Sequence, residues 1–414
     1  MSYNKAIPPA VDGMEEPYGI EEILYSRTDK RGIILSGNDA FRRVSGYDWD
    51  RLIGAPHRIL RNPDTPRAVF HLLWKTIQDG KPICAIIKNR SSSGRWYWVM
   101  SVVAPFDGGY LSVRLKPAGE LFGMARTIYA RLLAAEKDQS LTPEASCTRL
   151  LESLAAEGFD SYEDFMTALL QEGLAVRDAA VRTANSVHMQ ALATLSANIK
   201  ATKQEQQALM AEFDLLQAVP TNMRIIASRL EPSGGPISAI SDNYKFASTE
   251  IADRLEGFAG TERNQCRLMA DITGDAILKT SIAHLLLELR QRFSLEDPAR
   301  NPVDRASEMA RLTGIERYYA EAAKAAILNV GKVAGALNEA STEIRRMTLG
   351  LDTIRVMGKV ESGHLGPGGA GLASTIDQLD SRHAIIARHL QRLMDLSAGI
   401  RAAIGTFSRG RAAD

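Results

Sequence analysis

The spacing of hydrophobic positions changes character near Pro117. Before it, from Leu24 to Pro117, short β-branched or aromatic runs alternate with turn-forming clusters. Strands are predicted at Ile33–Leu35, Ile83–Lys88, Trp96–Ala104 and Tyr110–Leu115, bounded by Asp29-Lys-Arg-Gly32, Ser91-Ser-Ser-Gly94 and Asp107-Gly-Gly109. The last three strands are expected to pair as an antiparallel meander. Between the first and second, short helices are predicted at Asn38–Val44, Asp48–Leu52 and Thr65–Asp79, the last with Phe70, Leu73, Trp74 and Ile77 on one face. A strand, several short helices and a run of strands make an α+β layout.

After Pro117 the period becomes helical. Apolar or small residues recur at three- and four-residue steps through Leu192, Leu195 and Ile199, then, past polar Thr202 and Gln206, through Leu209, Phe213 and Leu216. The pattern breaks at Val219-Pro220 and at Glu231-Pro-Ser-Gly-Gly-Pro236, and resumes at Ile237, Ile240, Tyr244, Ala247 and Ile251. Beyond Pro298 to Pro302, one arm carries Ile327, Val330, Ala334, Leu337, Ile344, Met347, Leu351 and Ile354. After Gly363 to Gly369 a return arm carries Leu372, Ile376, Leu379, Ile386, Leu390 and Leu393. The simplest reading is an all-α region of long antiparallel coiled-coil hairpins. The two tips look alike, Met223 to Glu231 lying over Ile354 to Glu361, so an internal duplication and a shared need for a Gly/Pro turn both account for them. The expected organisation is a flexible N-terminus at 1–20, an α+β domain at 21–118, linker helices at 119–160 and hairpins at 161–296 and 301–408.

Composition narrows the function classes. Among 414 residues, Lys and Arg number 50 against 49 Asp and Glu, so no bulk field favours nucleic acid or an anionic membrane. No leader-like or spanning apolar stretch occurs, which predicts a cytoplasmic protein, neither secreted nor inserted in a membrane. Cys84, Cys147 and Cys266 are far apart, without metal-ligand or disulfide spacing, and are expected to be buried thiols. His188, His284, His364, His383 and His389 lack the setting of a phosphoacceptor histidine. With no phosphate-binding loop or nucleophile elbow, no catalytic residue and no metal site is expected, and the chain is read as a non-enzyme.

Specificity lies in several blocks that fall in register over the α+β half. Asn38-Asp-Ala-Phe-Arg-Arg-Val-Ser-Gly-Tyr47, Leu52-Ile-Gly-Ala-Pro-His57 and Arg61-Asn-Pro-Asp-Thr-Pro66 come first. Phe70-His-Leu-Leu-Trp74, Gly80-Lys-Pro82, Lys88-Asn-Arg90, Gly94 to Val99 and Gly109-Tyr-Leu-Ser-Val-Arg114 follow. In these blocks the domain resembles PAS sensor domains of the aerotaxis-receptor class. The resemblance implies an FAD-binding redox sensor, with the family's flavin pattern met at Asn38, Arg61, Asp64, Trp74 and Asn89. Asn62 stands where the family commonly has His, and Ile83 where it has Trp. Chemically, Arg61 could fork onto a phosphate, Asn38 and Asn89 could serve a flavin edge, and Trp74 could stack. Read from the residues alone, Trp74 is equally a core side chain and Arg61 with Asp64 an ion pair. Flavin, another or no ligand, and haem through His57 or His71 all stay open.

The helical half is similar, more loosely, to the cytoplasmic hairpins of chemoreceptors. That resemblance implies a histidine kinase or an adaptor as partner, but the family's Glu-Ala-Ala-Arg and Gly-Arg-Gly-Phe tip is not matched at Glu231 to Pro236 or Glu361 to Gly369. A methylation-like string stands at Ala201 to Ala208. The expected function is a sensory transducer that relays a redox or ligand change through the hairpins to a protein partner. A homodimer is expected, because the hairpin seams need cover, which a partner chain supplies unless the two hairpins pack on each other. The alternative is a scaffolding coiled coil in which the PAS domain serves for dimerisation or docking.

Overall fold

The computed structural model describes residues 14–181, 187–230, 235–259 and 264–410. Strands β1 (Leu24–Asp29), β2 (Ile34–Gly37), β3 (Ile83–Arg90), β4 (Trp96–Phe106) and β5 (Gly109–Leu115) form one antiparallel sheet, in the order β2-β1-β5-β4-β3. Helices α1 (Asp39–Ser45), α2 (Trp49–Leu52) and α3 (Arg67–Gln78) connect β2 to β3. The meander of β3, β4 and β5 is as the alternation predicts. Strand β1 was not among the predicted strands, yet it sits between β2 and β5. Its sequence, Leu-Tyr-Ser-Arg-Thr-Asp, carries four polar side chains, of which Ser26, Arg27 and Thr28 bond Arg114, Glu308 and the Tyr110 carbonyl, all far along the chain, while Asp29 serves its own turn.

Local chemistry starts and stops these elements. Asn38 caps α1 by accepting from the Phe41 N–H at 3.1 Å, and Gly46, at φ 70°, ends that helix in the left-handed region. In the β1–β2 turn, Asp29 accepts from the backbone N–H groups of Arg31 and Ile33 at 2.8 and 2.9 Å, and Gly32 takes φ 76°. A Cβ on Gly32 would lie 3.1 Å from the Trp74 ring, so glycine also keeps the space beside that indole.

After the sheet come α4 (Glu120–Asp138), α5 (Pro143–Ala156), α6 (Tyr162–Val181), α7 (Val187–Gln217), α8 (Val219–Arg229), α9 (Gly235–Ala259), α10 (Gln265–Leu295), α11 (Arg305–His364) and α12 (Ala370–Gly410). No strand follows residue 130 among the described residues. Contacts divide the chain into two compact units, one of residues 1–189 with 274–325, the other of 190–273 with 326–414.

In the first unit the sheet has two differently used faces, because side chains alternate along each strand. Ser26, Thr28, Ser101, Val103, Tyr110, Ser112 and Arg114 face α3. Tyr25, Arg27, Cys84, Ile86, Met100, Val102, Leu111 and Val113 face the other way, and helices cover them. Tyr129 of α4 donates to the Ile86 carbonyl and Tyr162 of α6 to that of Cys84, both at 3.1 Å. Tyr25 meets Phe293 of α10 edge to face, and Arg177 forks onto Glu288 at 2.6 and 2.9 Å while donating to the carbonyls of Ile20 and Glu21. Tyr18, in the stretch expected to be a flexible N-terminus, is buried beside Tyr97; residues 1–13 lie outside the described residues. Burial pushes the Cys84 thiol up to about 12, which makes it inert; Cys147 is only half-buried.

The second unit is an antiparallel four-helix arrangement of α7–α8, α9, the distal part of α11 and α12. Side-chain pairs fix the register: the Arg382–Glu212 ion pair at 3.1 Å and a hydrogen bond between His389 and Glu205 at 2.6 Å join α12 to α7, and Arg254 with Glu343 joins α9 to α11. Every seam position read from α7, Leu192 through Leu216, is buried, including polar Thr202 and Gln206. The chain reverses through a 3-10 turn at Gly366–Gly369, while the other expected reversal, at Pro232 to Gly235, begins outside the described residues. The hairpins therefore cover each other's seams within one chain.

Candidate functional site

Between the α3 face of the sheet and α3 itself lies a cavity of about 140 Å³. It exists because small or polar residues stand on the strands where large apolar ones would fill the space: Ser101, Ser112 and Thr28 line it opposite Phe70, Leu73, Trp74 and Ile77 of α3. These last four are the predicted apolar face of that helix. Trp74 meets the Tyr110 ring edge to face at 5.8 Å and remains 37% exposed, so it forms a wall between cavity and solvent rather than a closed core. Beyond it an open cleft of about 600 Å³ shares Arg61, Phe70 and Trp74 as walls and adds Arg67, His71 and Lys75.

Of the six residues singled out from the sequence, the structure brings three together. Arg61, Trp74 and Asn89 line the cavity; the Arg61 guanidinium lies 4.2 Å from the Phe70 ring centre, and Arg61 and Asn89 pair through their backbones. The other three do local structural work outside it. Asn38 is committed on both sides of its amide, accepting from Tyr25 and Phe41 N–H groups and donating to the Ile23 carbonyl. Asn62 accepts from the Asp64 N–H at 2.9 Å, and Asp64 pairs with Lys88 at 2.6 Å. Together with Thr65, which bonds the backbone of Lys88 in both directions, they pin the loop before α3 to β3. The sequence alternative that pairs Arg61 with Asp64 is not what forms.

The most unusual group in the cavity was not singled out as a site residue. Arg114 is fully buried, donates to Ser26 Oγ at 2.9 Å and to His57 Nε2, and its Nη1 has no partner. No carboxylate pairs with it among the described residues, and burial lowers its pKa to about 10. His57 beside it is partly buried; desolvation, then the neighbouring guanidinium, holds its pKa well below the ordinary imidazole value, so it is a neutral acceptor. A buried cation with an orphaned donor, on a residue that lines an apolar-walled cavity, has the chemistry to meet an electron-rich acceptor or an anion. The signal was present as a strict alternation in β5, where Tyr110, Ser112 and Arg114 interleave with Leu111, Val113 and Leu115.

Comparisons with known proteins bear on this domain. A family model described as PAS fold matches residues 34–112, from β2 into β5, a span that holds most of the cavity's lining residues. This domain is a PAS domain. It is of the aerotaxis-receptor type: the chain is 34% identical over 138 residues to the aerotaxis receptor of Escherichia coli K12, which is 32% of this chain and 27% of that receptor. It is also 28% identical over 130 residues to a nitrogen fixation regulatory protein of Klebsiella oxytoca, covering 25% of it. A bacterioopsin transcriptional activator of Halobacterium salinarum is 29% identical over 91 residues, 13% of its length. The chain thus spans about a quarter or less of the length of these relatives. No helix among the described residues is long and apolar enough to cross a membrane.

Proposed function

We propose that the chain is a sensory signal transducer whose PAS cavity binds a planar, electron-rich ligand and whose helices carry the response to a protein partner. The observation that carries this reading is Arg114, a cavity-lining residue whose guanidinium is buried without an acid beside it and keeps one nitrogen without a partner. Such a group is costly in an apoprotein unless a ligand supplies the missing acceptor. Nothing in the site supplies a nucleophile with a positioned base, so the reading is of binding and relay rather than catalysis.

Flavin adenine dinucleotide, which the resemblance implies, suits the chemistry of this donor set. The Trp74, Phe70 and Tyr110 rings offer flat apolar walls, while Asn89 and Arg114 offer donors to a ring edge. A cavity of about 140 Å³ is the size that takes a single aromatic ring, so a three-ring system would also use the open side at Trp74. There Arg61, Arg67 and Lys75 stand along the cleft, where a diphosphate would find cations. When bound, the group would supply reversible redox chemistry; the chain's own residues hold and orient it.

Strand β1 offers a route out of the cavity. Ser26 accepts from Arg114 on the cavity face, and its neighbours Tyr25 and Arg27 both bond Glu308 of α11 on the opposite face. A ligand that draws Arg114 toward itself pulls on Ser26 and so on the two residues that grip α11. A coupling of about 1 to 3 kcal/mol would suffice to bias such a contact. The deciding experiment is the visible absorption spectrum of the purified protein, with and without added flavin. Flavin bands, or a flavin-dependent rise in melting temperature, support a flavin sensor; neither, in the presence of excess flavin, removes that ligand class from the reading.

A further inference from the structure

Helix α4 bonds two walls of the cavity without lining it. One wall is α3, which supplies Phe70, Leu73, Trp74 and Ile77; another is β3, which supplies Ile87 and Asn89. Tyr129 donates to the Ile86 carbonyl of β3 at 3.1 Å, and Glu136 Oε1 accepts from the N–H of Arg67, the first residue of α3, at 2.8 Å. The two side chains share the buried face of α4, two turns or about 10 Å apart along its axis. Each bond serves a group that its own element leaves open. Pro66 stands at the N-cap of α3 and gives it no side-chain cap, so the first N–H of that helix depends on an acidic side chain set at its positive end. β3 is an outer strand of the sheet, and Tyr129 meets its Ile86 carbonyl where a further strand would stand. α4 is itself braced. Glu172 of α6 accepts from the N–H groups of Glu120 and Leu121, both at 2.9 Å, and Glu136 also takes the Ser146 hydroxyl of α5 at 2.5 Å.

We propose that α4 is a strap that sets the width of the cavity, so that Tyr129 and Glu136 determine the size class of ligand it admits. The proposal rests on the reading of the cavity as a ligand site. With the strap in place the space between α3 and the sheet is about 140 Å³, enough for one aromatic ring. A three-ring ligand fully inside it needs α3 to move off β3, and that movement stretches the Arg67–Glu136 bond or the Ile86–Tyr129 bond. Both Tyr129 and Glu136 are buried, at 2% and 8% exposed, so a bond that breaks there leaves polar groups unsatisfied away from water. The strap thus favours single-ring ligands over wider ones while touching neither, and a flavin lies at the open side by Trp74 unless the strap gives. Tyr129 and Glu136 are positioning residues in this sense: they act on the ligand only through α3 and β3.

Two probes bracket the size: benzoate, one ring with an acceptor for Arg114, and riboflavin, three rings without a phosphate. Their affinities are measured on the full chain and on its Tyr129→Phe, Glu136→Ala and Glu136→Gln variants, beside hydrogen exchange over α3. Tyr129→Phe and Glu136→Ala should speed exchange in α3 and shift the ratio of riboflavin to benzoate affinity toward riboflavin by about fivefold or more. Glu136→Gln keeps an oxygen that accepts from the Arg67 N–H and should stay near the wild type in both. A general loss of stability lowers the two affinities together and leaves their ratio where it was, so the ratio separates a strap from a merely structural contact. A ratio unchanged in both Tyr129→Phe and Glu136→Ala, or shifted as far by Glu136→Gln as by Glu136→Ala, overturns the proposal. If none of the four proteins binds either probe, the ligand reading of the cavity fails, and exchange decides the strap by itself: faster exchange in α3 supports it and unchanged exchange overturns it.

Discussion

Arg27 and Glu308 meet in a two-bond fork, Nε to Oε1 at 2.8 Å and Nη2 to Oε2 at 2.7 Å, on the face of the sheet turned away from the cavity. Burial works to raise the Glu308 carboxyl, and the hydrogen bonds from Arg27 and Tyr25 outweigh it, so it is held below the ordinary carboxylate value. Because Glu308 is 2% exposed and Tyr25 fully buried, Glu308→Ala leaves a guanidinium and a phenol without their acceptor. The expected loss in urea unfolding is about 3 to 5 kcal/mol, with Glu308→Gln losing less. A change under 1 kcal/mol would mean that water replaces the carboxylate and that β1 does not grip α11 in the way described.

The His57 imidazole makes acid destabilising. Its folded pKa lies below the unfolded one, so below about pH 6.5 the unfolded chain takes up a proton that the folded chain refuses. Stability is full above that pH and falls as pH drops toward the folded value, with a limiting slope of about 1.4 kcal/mol per pH unit. His57→Gln keeps an acceptor for Arg114 and should flatten this slope in denaturant midpoints measured from pH 7 to 5. An unchanged slope would show that other groups set it.

Glu296 works with the opposite sign. Burial raises its pKa to about 7, against the two hydrogen bonds it accepts from the Asp39 N–H at 3.2 Å. A carboxyl raised in the fold costs stability as pH climbs from the ordinary value through 7, because only the unfolded chain ionises freely there. Since the side chain is partly exposed, Glu296→Gln should stabilise the protein at pH 8 by no more than about 1 kcal/mol and leave it unchanged near pH 4. Equal effects at both pH values would rule out ionisation as the cause.

Cavity variants should separate binding from folding. Arg114→Met removes an unpaired buried cation, so the ligand-free protein should hold or gain stability while flavin affinity drops about tenfold or more. Arg61→Ala should also lower flavin content, and Trp74→Ala should lower both flavin content and stability, since truncating a packed tryptophan costs about 3 to 5 kcal/mol. Asn62→His should leave flavin content unchanged, because Asn62 caps Asp64 outside the cavity. Thermal melts beside flavin absorbance read both quantities, and an Arg114→Met protein that binds flavin as the wild type does would remove Arg114 from the site.

Periodicity alone determined the elements whose reasons are local. The β3–β5 meander, the apolar face of α3, the buried seam of α7 and the turn at Gly366–Gly369 each follow from spacing within one segment, since a strand or helix can present one face only at its own period. Blocks of residues in register carried the family likeness in the same way. What only the tertiary structure decided depends on groups far apart in sequence. Strand β1 is a strand because Tyr25, Arg27 and Ser26 find partners at Glu308 and Arg114, and no window around Leu24 contains them. Asn38, Asn62 and Asp64 looked like ligand groups by type, but hydrogen bonds within the domain, to Tyr25 and Ile23, to the Asp64 N–H and to Lys88, had already claimed them, while Arg114 became the conspicuous one because folding buried it without an acid. The two hairpins closed on each other, through pairs such as Arg382 with Glu212, for the same reason: an apolar seam specifies that it must be covered, and only three-dimensional packing specifies by what.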